Sequence, residues 1–465
     1  MVDDPTVRTV RTLRDAGDER APGERERDLI HVALCGDQPL AGGAVVEVAP
    51  GQIVVIARGP SLVVEPRSSD GEVWLRLPDA RVSERHAVVE RQGDELRFED
   101  LGSLNGSFSS GEPIHTAAVA DGQTIVVGRT VLLFQRRVRT GPSLAVFDVA
   151  GAPELRTLSP EAARVHDKLA RAATSLVPIL LRGETGTGKE VAARALHALS
   201  RRTGRFVAVN CGALPENLIE SELFGYRRGA FSGATQDRAG VIAAAAGGTL
   251  LLDEVGELQA PAQVKLLRAV QEREVVPLGA AHGEAVRVDF RLVCATHADL
   301  DQLGARGAFR ADLLARIRGL DLELPPLRAR RMDLGILIAA LLARHAGAEA
   351  ASYRFDRRCA EALVAHDYPL NIRELEQVLL ALLALAGPER LFRREALADT
   401  TIGLGAPAAA AREPDRVRAE LLELLERHQG NISAVARAMR CTRMQVHRWL
   451  KRWQIDAERF RGGST

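Results

Sequence analysis

The sequence predicts a multidomain chain: an all-β sandwich, then an α/β unit built on a parallel sheet with a helical appendage, then an all-α module at the C-terminal end. Three observations predict it. Short β-rich runs broken by Gly, Asp and Ser turns fill Leu29 to Val138, strand-like and helical patterns then alternate, and beyond Pro325-Pro326 the pattern is wholly helical. At roughly 100–200 residues per domain, 465 residues accommodate about three domains.

Composition narrows the classes. The 46% hydrophobic fraction supports packed cores and argues against a disordered chain. With 62 Lys+Arg against 61 Asp+Glu the formal net charge is +1, so no global pull toward nucleic acid is expected and a local basic cluster carries more meaning. The longest uncharged, mostly apolar run, Val241–Leu252, falls short of the roughly 18 residues of a spanning helix. The N-terminal stretch is charged and lacks the apolar core of a signal peptide, so no membrane segment and a cytoplasmic location are expected. Cys35, Cys211, Cys294, Cys359 and Cys441 have no CxxC spacing, which reads as small buried residues rather than a zinc site or disulfide framework.

In chain order, residues 1–28 read as a disordered charged N-terminus, and 29–138 as the sandwich. Its strand candidates are QIVVIA (Gln52–Ala57), VWLRL (Val73–Leu77), HAVVER (His86–Arg91), ELRF (Glu95–Phe98), QTIVVG (Gln123–Gly128) and TVLLFQ (Thr130–Gln135). Residues 139–158 read as a connector and 159–326 as the α/β core, with strands at PILLR (Pro178–Arg182), FVAVN, TLLLDE and FRLVCAT. The helical appendage spans 327–400, with apolar stretches at Asp333–His345, Asp356–His366 and Ile372–Ala386. Residues 401–415, rich in Ala, Gly and Pro, read as a linker, and 416–460 as the closing helical module.

GETGTGKE (Gly183–Glu190) follows a strand and precedes a helix, the context a phosphate-cradling loop requires. Gly183, Gly186 and Gly188, with Glu184, Thr185 and Thr187 between them, let backbone N–H groups converge on phosphate oxygens at a helix N-terminus. Lys189 adds a positive charge for the β and γ phosphates. Glu190 stands where the generic motif has a Mg²⁺-binding hydroxyl. At the end of TLLLDE, Asp253 is placed to hold Mg²⁺ through water and Glu254 to orient an attacking water. A carboxylate pair at a strand end is usually merely solvated; following such a loop, the functional reading is the stronger. Asn210, on a neighbouring strand, is a candidate partner for Glu254, its bland alternative being a turn cap.

From Ser159 to Thr400 the chain resembles the AAA+ ATPases of sigma-54-dependent transcriptional activators, the bacterial enhancer-binding proteins. The resemblance rests on GETGTGKE, ESELFGYRRGAFSGA, GGTLLLDEV, FRLVCATHADL, FRADLLARI, LPPLRARRMD and YPLNIRELEQ, in that order. It implies a ring, usually hexameric, hydrolysing ATP with Mg²⁺ between subunits. Arg310 and Arg316 match the arginines that reach a neighbour's γ-phosphate, Arg373 matches the lid arginine, and Thr296 with His297 occupies the sensor-strand tip, where the family often has Asn. Leu370 and Tyr368 replace the usual Gly and Trp of the lid motif. Gly229, Ala230, Phe231, Ser232, Gly233 and Ala234 resemble the GAFTGA loop that engages sigma-54, with Phe231 the implied contact and Ser232 in place of the usual Thr.

Val417–Trp453 resembles the factor-for-inversion-stimulation type of helix-turn-helix, which implies enhancer DNA as a partner. Arg443, Gln445, His447, Arg448, Lys451 and Arg452 on its third helix are the implied groove and phosphate contacts, and Arg437 to Arg452 holds six Lys/Arg and no acid. The β-rich region resembles a forkhead-associated (FHA) domain, which binds phosphothreonine peptides. The resemblance assigns Arg58, Ser83, Arg85 and Asn105 to the phosphopeptide and makes His86 a loop brace, while Ala57 and Glu84 depart from the pattern, Glu84 placing a carboxylate where it should repel an anion.

Together these readings imply an enhancer-bound, phosphothreonine-responsive ATPase that remodels sigma-54 RNA polymerase. One rival is a DNA-binding regulator or phosphopeptide adaptor that no longer hydrolyses ATP, against which the intact Lys189, Asp253, Glu254, Arg310 and Arg316 weigh. The other is an AAA+ remodeller of a different protein, disfavoured by GAFSGA together with a helix-turn-helix.

Overall fold

The computed structural model describes residues 25–398 apart from 67–70, 142, 143, 145, 282 and 283, then residue 400, residues 414–428 and scattered positions from 430 to 460. The first 24 residues of the charged N-terminal stretch lie outside the described residues.

Twelve strands form the sandwich: β1 (Arg25–Cys35), β2 (Ala44–Glu47), β3 (Ile53–Arg58), β4 (Val63–Pro66), β5 (Glu72–Leu77), β6 (Ala87–Gln92), β7 (Glu95–Asp100), β8 (Ser107–Ser109), β9 (Glu112–Ile114), β10 (Thr116–Val119), β11 (Thr124–Val127) and β12 (Thr130–Thr140). One sheet runs β2-β1-β12-β11-β8-β9 and the other β10-β7-β6-β3-β5-β4. Inward-facing Ile30, Val32, Val54, Ile56, Leu75, Phe98 and Phe134 fill the space between them. Strand β1 starts at Arg25, ahead of the Leu29 start that the charge pattern suggested. Its leading charges are paired rather than solvated: Arg25 and Arg27 bridge Glu47 on β2, and Asp28 accepts the Arg137 N–H from β12.

The α/β unit is a five-stranded, all-parallel sheet in the spatial order Phe206–Asn210, Thr249–Asp253, Arg291–Thr296, Ile179–Arg182, Leu320–Glu323. These are the four strands read from the sequence plus a fifth. Parallel pairing brings every carboxyl end to one edge, where ligands of open α/β sheets bind; Gly183, Asp253 and Thr296 all stand there. The stretch read as a connector is partly packed: Phe147 and Thr157 form an antiparallel bridge, Ala152 and Leu155 are buried in the α/β core, and Thr157 Oγ1 and the Leu158 N–H both donate to buried Asp333.

The helical appendage contains helices Leu334–Ala346, Arg357–Ala365 and Asn371–Leu385. Residues Arg331–Ser352 form the one helical run among the described residues that is long and apolar enough to cross a membrane, but Leu334, Ile338 and Leu342 are fully buried within the protein. What they pack against was not legible beforehand. Ala33, Leu34, Val126, Val131 and Leu133 of the sandwich share one continuous apolar core with Leu334, Ile338, Phe355, Cys359 and Leu363 of the appendage. Polar contacts fasten the same face: the Phe355 N–H donates to the Gly36 carbonyl at 2.8 Å, the Gly111 N–H donates to Glu361, and the Arg357 guanidinium lies 3.6 Å from the centre of the Phe108 ring. Gly335 permits the approach, since a Cβ there would lie 2.5 Å from the Gly42 carbonyl oxygen. Each apolar side chain fully buried in such a seam stabilises it by ~1.5–3 kcal/mol, so the two units pack as one body.

At the C-terminal end, helix Pro414–Arg427 contributes Leu421 and Leu425 to a small core with Val435, Val446 and Leu450. Arg443, Gln445, His447, Arg448, Lys451 and Arg452 lie outside the described residues.

Candidate nucleotide site and its companion surfaces

The loop after strand Ile179–Arg182 turns into helix Lys189–Leu199 through Gly186 and Gly188, at φ +80° and +103°. These left-handed conformations favour glycine and leave the helix N-terminus open to an anion. Lys189 is only 7% exposed. Its ammonium donates to the Gly183 and Glu184 carbonyls at 2.8 and 3.2 Å and lies 3.9 Å from Glu254. Burial lowers its pKa, opposed by the charges of Glu254 and Asp253. Thr187 Oγ1 donates to the Glu184 carbonyl and stiffens the loop. Glu190 pairs with Arg194 one turn along the helix, yet remains near enough to Asp253 to help raise its pKa.

Across the edge, burial first and the Glu254 charge second raise the Asp253 carboxyl above its ordinary range. Glu254 takes φ +52°, ψ +49°, a conformation that costs a non-glycine residue of order 1–3 kcal/mol and tends to persist where surrounding contacts enforce it, often at functional sites. Its Oε2 accepts from the His297 backbone N–H at 3.2 Å and from His297 Nδ1 at 2.7 Å. Thr296 is fully buried and its Oγ1 accepts the Ala298 N–H, so it sets the turn that delivers His297. The partner of Glu254 is therefore His297 and not Asn210. Asn210 Oδ1 instead accepts the N–H groups of Gly212 and Ala213, the turn cap that was its bland alternative, because its strand ends in a turn whose amides need an acceptor.

The lid motif closes over the loop. The Ile372 N–H donates to the Gly186 carbonyl, Asn371 Nδ2 to the Thr185 carbonyl and to Glu184, and Asn371 Oδ1 accepts the Leu327 N–H. Arg328 grips Glu184 with two bonds of 2.7 and 2.6 Å, driving that carboxyl down to about 2, and buried Arg330 donates to the Thr187 carbonyl. Arg373 follows directly: a Cβ on Gly186 would come within 3.1 Å of its own. Leu370, where the related motif has Gly, sits at φ −102°, which any L-residue adopts; the positive φ values fall on Tyr368 and Asn371 instead. Glu184, Asn371 and Arg328 thus form a clasp that sequence reading missed, although LPPLRARRMD and YPLNIRELEQ contain two of its members. Arg310 and Arg316 do not join this cluster. Arg310 is paired with Asp312, Arg316 is exposed on helix Ala311–Ile317, and no hydrogen bond or ion pair among the described residues joins either to the chain's own phosphate loop.

A divalent ion fits the carboxylate edge. Asp253 and Glu254 crowd negative charge that a cation would relieve, and Mg²⁺ is commonly held by one or two carboxylates plus phosphate and water. No cluster of three or more His, Cys, Asp or Glu suited to a metal occurs among the described residues, and this mode of binding needs none.

Two companion surfaces take shape. The Gly229–Ala234 loop is closed by the Gly229 N–H donating to the Ala234 carbonyl at 2.8 Å and braced by Arg227 and the Arg228 N–H on Asp237. Phe231 leans edge-on against Tyr226 at 4.9 Å but stays 41% exposed, with Ala230 and Ser232 beside it. On the sandwich, the Arg58 guanidinium lies 3.8 Å from Glu84, with the side chains 48% and 92% exposed. Ser83 Oγ accepts the Leu104 N–H, which leaves its own proton available, and His86 Nδ1 accepts the Ser83 N–H. His86 is fully buried, which lowers its pKa, and its Nε2 reaches Ser107, so it braces the loops as expected. Asn105 donates to the Arg81 carbonyl and Arg85 to Glu72. Trp74 and Arg76, which sequence reading did not single out, line the pocket beside Arg58, the Arg76 guanidinium 4.7 Å from the Trp74 ring centre.

Comparison with known proteins agrees along the chain. The Sigma-54 interaction domain family matches residues 155–323, the FHA domain family 67–128, the AAA+ ATPase lid domain family 328–414 and the homeodomain-like domain family 413–460. Transcriptional regulatory protein GlrR of Escherichia coli is 38% identical over 314 residues, covering 66% of this chain and 69% of that protein. Response regulator protein PilR of Pseudomonas aeruginosa is 38% identical over 309 residues, 64% of this chain and 69% of that one. Hydrogenase transcriptional regulatory protein HoxA of Cupriavidus necator is 34% identical over 400 residues, 82% of this chain and 77% of that one. A phosphate loop under an AAA+ lid, a Phe231 loop, an FHA sandwich and a C-terminal helix-turn-helix therefore meet in one polypeptide, and the chain belongs to the sigma-54-dependent transcriptional regulators.

Proposed function

We propose that the chain hydrolyses ATP to ADP and phosphate at the seam between neighbouring copies of a ring, and that the cycle drives the Phe231 loop against sigma-54 RNA polymerase. The observation that carries this reading is Glu254, held in a costly backbone conformation with its carboxylate fixed by His297 and its Oε1 facing Lys189. Gly183 to Lys189 receive the triphosphate on backbone N–H groups, with Glu190 at the start of the following helix, and the Lys189 ammonium exchanges its loop carbonyls for phosphate oxygens. Glu254 orients the attacking water toward the γ-phosphorus and accepts its hydrogen bond. Asp253 would be the residue to hold Mg²⁺, which would supply charge neutralisation at the phosphates. His297 and Thr296 set the position of Glu254, and Arg373 reports nucleotide to the lid. Arg310 and Arg316, facing outward here, serve the neighbouring copy's γ-phosphate, where a fixed guanidinium stabilises developing charge.

The remaining roles follow the same logic. Phe231 offers apolar surface that only a partner covers, with Gly229 and Gly233 giving the loop its freedom. Arg58, Ser83, Arg85 and Asn105 receive a phosphothreonine peptide, so phosphorylation of a partner protein controls the ring. Arg443, Gln445, His447, Arg448, Lys451 and Arg452 hold enhancer DNA.

The test is phosphate release by the full chain against protein concentration, run beside Phe231→Ala in a sigma-54 promoter-opening assay. Specific activity should rise with concentration, and Phe231→Ala should keep ATPase activity while losing promoter opening. Concentration-independent turnover would remove the seam. Normal opening by Phe231→Ala would remove the loop's role, and absent phosphate release would leave a non-enzymatic DNA-binding regulator or phosphopeptide adaptor.

A further inference from the structure

The pocket around Arg58 does not end on the sandwich. A second cleft, of about 830 Å³, shares its Arg58-Gly59-Pro60 wall and runs past Pro39, Leu40 and Leu62 to Ala351 and Arg354 of the lid. Arg354 is fixed there by the contact that docks the two units: its neighbour Phe355 is fully buried and donates its N–H to the Gly36 carbonyl, while the Arg354 N–H donates to the Arg390 carbonyl. The acidic residues of the cleft are already engaged. Asp37 holds Arg129 and the Ala80 N–H, and buried Asp79 accepts from the Arg81 and Arg129 N–H groups and from Thr130 Oγ1. Arg354, by contrast, is exposed and makes no ion pair among the described residues. The cleft therefore presents Arg58 on its sandwich side and Arg354 on its lid side, with Pro39, Leu40 and Leu62 in the wall, and its own two carboxylates, Asp37 and Asp79, are already bonded.

We infer that this cleft is a composite phosphopeptide site, in which the sandwich takes the phosphothreonine at Arg58 and the lid reads a flanking Glu or Asp through Arg354. The inference rests on the phosphothreonine reading above and adds to it a substrate class, a phosphothreonine peptide with an apolar stretch and then an acid. An occupant of that kind contacts sandwich and lid together, and the same lid bonds the phosphate loop through Asn371 and Arg330. Peptide sequence and nucleotide site are thereby joined through one body.

The experiment measures binding of labelled peptides to the full chain, with one glutamate walked through six positions on each side of a phosphothreonine in an otherwise neutral sequence. At the favoured position the glutamate should tighten binding about three- to five-fold, the range of a partly exposed ion pair. Arg354→Ala should erase that gain without changing affinity for the neutral phosphopeptide. Arg354→Glu should reverse it, favouring lysine at the same position, a reversal that misfolding does not produce. A glutamate gain that survives Arg354→Ala, or no gain at any position, overturns the composite site while leaving phosphothreonine recognition standing. Equal affinity for phosphorylated and unphosphorylated peptides overturns both.

Discussion

The chain carries two sites proposed to receive phosphate, and they are built on opposite principles. Around the nucleotide loop the donors are backbone N–H groups whose direction is fixed by left-handed glycines, and the loop's own cation, Lys189, is buried against carbonyl oxygens. On the sandwich the cations are side chains in solvent, and the Arg58 guanidinium already has Glu84 at 3.8 Å. A backbone site leaves little room for variation, because changing it means changing φ angles and close approaches. A side-chain site can be tuned, because charges at its rim are screened and replaceable. The difference predicts where substitutions are catastrophic and where they are graded.

The largest effect belongs to the backbone site's chemistry. Lys189→Ala and Glu254→Gln should each lower ATP turnover by about 10²-fold or more, since in the proposed mechanism each removes a charge or contact aimed at the transferring phosphoryl group. Steady-state phosphate release reads this, with circular dichroism confirming the fold. Next comes Gly186→Ala. Its Cβ would sit 2.1 Å from the Leu370 carbonyl oxygen at φ +80°, so the loop and lid must part. The left-handed conformation alone costs about 1–2 kcal/mol, and nucleotide affinity measured by calorimetry should fall about ten-fold or more. Retained affinity would mean that the lid does not rest on the loop in solution.

Acid separates the two regions in a different way. The clasp carboxylate Glu184, brought down to about 2 by Arg328, contributes stability that is full above the ordinary carboxyl range and fades only as pH falls toward about 2. His31, in the sandwich core, is lowered by burial to about 4. Between its ordinary 6.5 and about 4, the unfolded chain takes up a proton that the folded chain refuses, so stability falls as pH drops, by about 1.4 kcal/mol per unit at most. Hydrogen exchange of strand β1, corrected for intrinsic rates, should show this slope, and His31→Leu should remove it. An unchanged slope in His31→Leu would assign the acid sensitivity elsewhere, His166 being the first alternative because burial lowers it to about 4 as well.

What the sequence disclosed and what it withheld divide along the same line. Local order was legible: alternating β-branched runs gave the strands, and the glycine spacing of Gly183 to Lys189 gave the loop, because both are set within a few residues. The roles proposed for Arg310 and Arg316 rest only on the family resemblance. Contacts between distant segments were hidden. The Arg328–Glu184 pair joins residues 144 positions apart, and the seam joining Leu34 and Val131 to Ile338 and Phe355 appears in the sequence only as apolar residues with two possible destinations. Asn210 shows how a strand-end residue can be misassigned: its side chain suits both a catalytic carboxylate and a turn, and local amides won. The N-terminal strand was read too short because its charges looked solvated until Glu47 was placed opposite them.

Glu84 is where the tunable site can be turned upward. Its carboxylate faces Arg58 at 3.8 Å with nine-tenths of its side chain in water, so the pair itself adds little stability. A phosphate bound at Arg58 as proposed would nonetheless have to displace that charge. Glu84→Gln keeps the side chain's size, frees the guanidinium and supplies an N–H donor at the pocket's rim. Phosphothreonine peptide should then bind about three- to five-fold more tightly, the worth of one exposed like-charge contact removed, and the gain should shrink at high salt. The unphosphorylated peptide should be unaffected. A Glu84→Gln chain that binds no better would mean that the phosphate does not sit at Arg58. A gain shared by the unphosphorylated peptide would trace the effect to general surface charge, and the contrast between a fixed backbone site and an adjustable side-chain site would lose its second half.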